Sequence, residues 1–213
     1  MRSFVLLIGL VLLPRLASGT PITVAGFTFA EGEQAFADDV IFVGGPLLDM
    51  NLVRAALIGS DLPGSFNTGD SNPTLLEIRF TDNAIQNGPG VDLVIFERSG
   101  SKPLGSPDPR EIFDISVYNG ASFQPYLTVT PISTGFTDTF AVQVDLGSFG
   151  VAPGVIVDRI RVAVYNVNLG SKSADLTAVG ALHSVAAIPE PSTLMLTLLG
   201  LLGVQVLRGR ATS

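Results

Sequence analysis

The chain of 213 residues contains no cysteine, which excludes thiol catalysis, thiolate zinc sites, iron–sulfur clusters and a disulfide framework. Between residues 20 and 188, eight Lys and Arg stand against eighteen Asp and Glu, a formal charge of −10, which argues against nucleic acid or anionic lipid as a partner. The same acidity suits either a cation-binding surface or a solvated one that keeps the domain soluble, and without disulfides the domain must rest on its core, helped at most by bound ions.

In chain order, Arg2, the apolar core 4–13 and the small residues Ala17-Ser18-Gly19 form the three regions of a secretory signal peptide, predicting segment 1–19 with cleavage after Gly19. Arg15 sits unusually between the core and the cleavage site. Ten apolar residues are too few to span a bilayer. Residues 20–188 then make one domain of about 170 residues, enough to bury a core of its own.

Within this domain the periodicity is two. The runs 24–29, 75–80, 93–96, 112–118, 140–146, 160–165 and 176–182 are β-branched or aromatic, each bounded by Gly, Pro, Asn or Asp. Such strands at such spacing predict an all-β fold, an antiparallel β-sandwich. In 112–118 the alternation sends Phe113, Ile115 and Val117 to the core and Ile112, Asp114, Ser116 and Tyr118 to the other face. Asn119-Gly120 offers a tight turn into 123–129, since both residues tolerate positive φ. Only 49–58 hints at a helix, with Leu52, Val53, Ala56 and Leu57 at helical spacing but no strong cap, and it reads as a one- or two-turn connection or a further strand.

The unusual residues lie in the loops. Thr81-Asp82-Asn83 precedes a Gly-rich turn, Asn87-Gly88-Pro89-Gly90, which leads into Val91-Asp92-Leu93-Val94-Ile95-Phe96-Glu97. Calcium takes six to eight oxygens from carboxylates, amides and carbonyls, and Asp82, Asn83 and Asp92 could supply several, with Glu97 and Asp175 as further candidates. The same residues equally form turns and caps, as do those of the polar loop 67–72. Asp92 and Glu97 lie five apart, so on a regular strand they face opposite ways and cannot share one ion. The segment resembles the secreted jelly-roll domains of bacterial surface proteins related to galactose-binding or discoidin-like sandwiches, and 173–181 resembles their closing strand, with Ala174 and Thr177 in place of its aromatic residue and second acid.

Catalytic signatures are sparse. The one histidine, His183, has neither a Gly-x-Ser-x-Gly elbow nor a His-x-x-x-His partner and reads as structural. Two carboxylates suffice for glycoside hydrolysis, so a hydrolase using acids such as Asp92, Glu97 or Glu111 remains an alternative. The absence of Trp, with only Tyr118, Tyr126 and Tyr165, counts against a sugar platform.

The C-terminus carries three parts in order: Pro189-Glu190-Pro191, the apolar run 193–207, and Arg208-Gly209-Arg210. As a helix the run covers about 22 Å, short of the ~30 Å hydrocarbon core, and the arginines would remain cytoplasmic. The order resembles the PEP-CTERM sorting segment of Gram-negative bacteria. That resemblance implies a sorting motif at Pro189, Glu190, Pro191, Arg208 and Arg210, processing by an exosortase, passing residence in the inner membrane, and delivery to the cell surface or an exopolysaccharide matrix. The expected function is therefore an exported, non-enzymatic structural or adhesive module, with a calcium-dependent carbohydrate-binding module as the alternative and a carboxylate hydrolase as the third reading.

Overall fold

Period-two runs bury alternate side chains only when sheets pair face to face, and the computed structural model, which describes residues 19–46, 48–62, 64–66, 72–98, 112–136, 138–164 and 174–186, has that arrangement. The strands are β1 (Ile22–Val24), β2 (Phe27–Phe29), β3 (Asp39–Gly44), β4 (Thr74–Arg79), β5 (Asn83–Gln86), β6 (Leu93–Arg98) and β7 (Phe113–Val117), followed by β8 (Leu127–Val129), β9 (Ile132–Ser133), β10 (Thr139–Val144), β11 (Ile156–Val157), β12 (Arg159–Val164), β13 (Leu176–Ala181) and β14 (Ser184–Ala186). A five-stranded sheet of order β3-β4-β12-β7-β8 faces a four-stranded sheet of order β13-β6-β10-β9, and β11-β5-β14 forms a third, smaller sheet. Every pairing is antiparallel. The fold is an all-β sandwich, and its chain passes repeatedly from one sheet to the next as in a jelly roll.

The main core lies between the two large sheets. Leu76 and Ile78 of β4, Phe113, Ile115 and Val117 of β7, and Ile160 and Val162 of β12 meet Leu93 and Ile95 of β6, Val142 and Val144 of β10, and Leu176 and Val179 of β13. Burying side chains of this size contributes about 1.5–3 kcal/mol each, before the entropy of ordering them is subtracted.

The run 93–96 is apolar at every position rather than at alternate ones, and the structure supplies the reason. The four-stranded sheet is covered on both faces: Leu93 and Ile95 enter the main core, while Val94 and Phe96 join Phe29, Phe36, Ala141 and Ala178 in a second cluster on the far side. The β1–β2 hairpin caps this cluster, with Phe27 edge-on to Phe96 at 5.8 Å between centroids. Gly180 admits it, since a Cβ there would lie 2.6 Å from Phe29 Cε1.

Several expectations are corrected. The run 24–29 is not one strand: Ala25 and Gly26 take φ of 45° and 87°, the positive pair of a tight hairpin turn, and divide it into β1 and β2. Strands β3 and β5 arise where none is expected, β5 beginning at Asn83 inside the polar stretch. The connection after β7 is wider than a two-residue turn. Asn119 Oδ1 accepts from the backbone N–H groups of Ala121 and Ser122, and only Gly120 is left-handed. The segment 49–58 holds an α-helix, α1 (Met50–Leu57), and it is capped: Asp49 Oδ1 accepts from Asn51 N at 3.0 Å. Among the described residues no helix is long and apolar enough to cross a membrane. Segments 1–18 and 189–213, where the export and sorting signals are read, lie outside the described residues, as do 67–71 and Glu111.

Candidate functional site

Asp92 stands at the start of β6 with its carboxylate fully buried. Oδ1 accepts from Gly88 N at 2.7 Å and lies 2.8 Å from His183 Nδ1, and Oδ2 accepts from Leu146 N at 2.8 Å. Its backbone carbonyl also accepts from Leu182 N. One side chain therefore clasps the Gly-rich turn, the helical turn that follows β10 and the turn between β13 and β14, in which His183 sits. The turn needs its glycine because a Cβ at Gly88 would lie against the His183 ring, 2.7 Å from Cε1. The β6–β10 register is unbroken from Leu93 to Arg98, so Asp92 and Glu97 do occupy opposite faces, and both are buried.

The other two predicted calcium ligands lie around the start of β5. Asp82 is exposed beside Asp38, whose Oδ2 accepts from Thr81 N at 2.6 Å and Asp82 N at 3.3 Å. Burial, then the charge and hydrogen bond of Asp38, push the Asp82 carboxyl above its ordinary value. Asn83 is buried; its Nδ2 donates to Ser184 Oγ at 2.9 Å, and its Oδ1 has no hydrogen-bond partner among the described residues. Among those residues no three of His, Asp and Glu are grouped to hold a metal ion.

Asn83 also lines an open cleft of about 700 Å³ between the end of the five-stranded sheet and the β11–β5 pair. The residues that give the cleft its chemistry were not singled out from sequence. On the outer face of the five-stranded sheet, Arg79 pairs in register with Arg159, and Glu77 with Arg161. Glu77 is the hub of this face. Arg79 Nε and Nη2 donate to its Oε1 at 2.8 and 2.7 Å, Arg161 Nε and Nη2 donate to its Oε2 at 3.2 and 3.0 Å, and Arg159 Nη1 lies 4.0 Å from Oε1. The carboxylate side chain is 6% exposed while the three guanidinium side chains retain 31–38%. Burial pushes the Glu77 carboxyl up, but hydrogen bonds and charge from Arg79 and Arg161 outweigh it and hold the group below its ordinary value.

Aromatic rings extend this face. The Arg159 guanidinium stacks 4.7 Å from the Tyr118 centroid while Nε and Nη2 donate to Asp158 at 2.9 and 2.8 Å, and those bonds hold the Asp158 carboxyl low. Arg161 stacks 3.7 Å from the Phe123 centroid. Tyr118, Arg79 and Arg159 thus form one side of the cleft, and Ile156, 40% exposed, with Asn83 the other. The signal was present in the sequence: Glu77-x-Arg79 and Arg159-x-Arg161 place charges at alternate positions in otherwise apolar strands, hence on one face.

No family model matches this chain, and no curated protein matches it. Among solved structures, CpGH89CBM32-6 produced by Clostridium perfringens is similar over 70% of this chain and 97% of its own, at 10% identity and a TM-score of 0.35. A likeness that distant bears on neither ligand nor activity.

Proposed function

We propose that the chain is an exported β-sandwich that works without catalysis, adhering to polymer at the cell surface or in the extracellular matrix through the cleft beside Tyr118. The observation that supports this reading is the cleft itself, where the half-buried Tyr118 ring and the guanidinium groups of Arg79 and Arg159 line one side and Asn83, whose buried Oδ1 has no hydrogen-bond partner among the described residues, lines the other. Polar groups held in place by a sheet bind at low ordering cost. Polymer-affinity electrophoresis against extracted exopolysaccharide tests it: retardation of the wild-type chain, lost in Tyr118→Ala, is the expected result, and equal mobility of both forms removes the cleft from the account.

Delivery belongs to the same proposal. The segment 189–213 directs the protein through the inner membrane to an exosortase, with Pro189, Glu190 and Pro191 as the recognised tripeptide and Arg208 and Arg210 as the cytoplasmic stop. Deleting 189–213 is expected to abolish surface delivery in the native host, measured by cell fractionation; unchanged delivery overturns the sorting role.

A calcium-dependent form of the binding reading is favoured by the Asp38–Asp82 pair at the Thr81 edge of the cleft, where a cation would offset the Asp38 charge that, after burial, raises the Asp82 carboxyl. Calcium at a hundred times its dissociation constant would add about 2.7 kcal/mol to the folded state. A thermal melt in EDTA and then in excess calcium is expected to show that rise in wild type and not in Asp82→Asn, and coincident wild-type melts overturn it.

A further inference from the structure

Cationic groups on this acidic domain are unevenly placed, and their unspent donors define what the cleft can hold. Arg79 and Arg159 line it, and Arg161 occupies the next row of the same face. Glu77 engages Arg79 through Nε and Nη2, which leaves Arg79 Nη1 with no bond among the described residues. Arg159 spends Nε and Nη2 on Asp158, and its Nη1, 4.0 Å from Glu77, is beyond hydrogen-bond length. Within the cleft the charges of Arg79 and Arg159 are matched by Glu77 and Asp158, so what the cleft offers is unspent donors held in place rather than a net charge. The acceptor Asn83 Oδ1 and the faces of Tyr118 and Ile156 complete the lining.

A neutral sugar would use the ring and the amide acceptor but leave both Nη1 groups to water. A sugar bearing a carboxylate uses every group: its carboxylate accepts from Arg79 and Arg159, a hydroxyl donates to Asn83 Oδ1, and its apolar face packs on Tyr118 or Ile156. We infer that the cleft takes a uronate unit of an acidic polysaccharide, an inference that rests on the reading of the cleft as a polymer-binding site. The domain's net negative charge opposes a polyanion, but charges farther than about 8 Å are largely screened at physiological ionic strength, so the contacts inside the cleft decide. Of the nearby acids, Asp158 is already held by Arg159, and Asp38 and Asp82 lie at the Thr81 edge, which suits the hydroxyl-bearing side of the sugar.

The test compares polygalacturonate, its fully methyl-esterified form, dextran and dextran sulfate by affinity electrophoresis of the full chain in mild detergent with EDTA. The expected result is retardation by polygalacturonate, at least about tenfold weaker retardation by the methyl ester and by dextran, and the same loss in Arg159→Gln while that variant still unfolds in a single cooperative melt. Binding to the ester or to dextran as tight as to the acid overturns the uronate inference while leaving polymer binding intact, as does a preference for dextran sulfate. Full binding by both Arg159→Gln and Tyr118→Ala overturns the location. Binding to none of the four, nor to extracted exopolysaccharide, removes the underlying reading as well.

Discussion

Two buried acids of this domain, Asp92 and Glu77, are satisfied in opposite ways. Asp92 is met by two backbone N–H groups and one imidazole, drawn from three separate turns, and its bonding ends there. Glu77 is met by arginine side chains that themselves stay partly exposed. A carboxylate filled by backbone donors fixes loops relative to one another. One filled by cationic side chains instead sets out an ordered row of charge on the surface. The same functional group thus serves as a clasp between loops in one place and as the anchor of an arginine row on an outer sheet face in the other.

Changes that break this contrast should separate stability from binding. Asp92→Ala is expected to have the largest effect, since it leaves Gly88 N and Leu146 N without their acceptor; several unmet buried groups at about 1–3 kcal/mol each predict a loss of about 3 kcal/mol or more in urea unfolding. Gly88→Ala should come next, at about 1–3 kcal/mol from overpacking against the imidazole. The double variant with His183→Ala should recover much of that loss, and strict additivity in the double-mutant cycle would show that the ring is not what demands glycine.

Glu77→Gln sharpens the other side of the comparison. The Glu77 carboxyl is lowered in the folded state, so its contribution is complete above the unfolded value of about 4.5 and fades as acid carries the pH down through the folded one. Wild type should therefore exceed Glu77→Gln in denaturant midpoint at neutral pH, with the gap closing in acid; a gap constant from neutral to strongly acidic pH would refute the ion-pair account. The smallest change, of opposite sign, is expected at Asp82. Its carboxyl is raised, so whatever it contributes is present below the unfolded value and lost as pH rises through the folded one. Asp82→Asn should be slightly more stable than wild type at neutral pH and indistinguishable in acid, as read from thermal midpoints.

How much of this was legible in the sequence differs by element. The alternation in 113–117 and the apolar run of β6 announced strands because a pleated chain sends neighbouring side chains to opposite faces, and Phe113, Ile115 and Val117 are indeed fully buried. The hairpin at Ala25-Gly26 was missed because alanine seldom takes positive φ and nothing else interrupts the apolar pattern. Asp49 was readable as a cap only once the helix was accepted, since eight residues give a weak period. Asp92 was singled out from sequence as a candidate ion ligand, but its role as a clasp was not legible, because its partners Leu146 and His183 lie 54 and 91 positions away.

The sequence by itself determined the strand-rich, cysteine-free character of the domain and which face of each long strand is apolar, because hydrophobic period and turn chemistry act over a few neighbouring residues. Only the tertiary structure decided that Glu77 meets three arginines, that Arg159 lies over Tyr118, and that Asn83 borders the same cleft as both. Those outcomes depend on the register between β4 and β12, strands some eighty residues apart, and register is set by how the whole core packs, not by any local run.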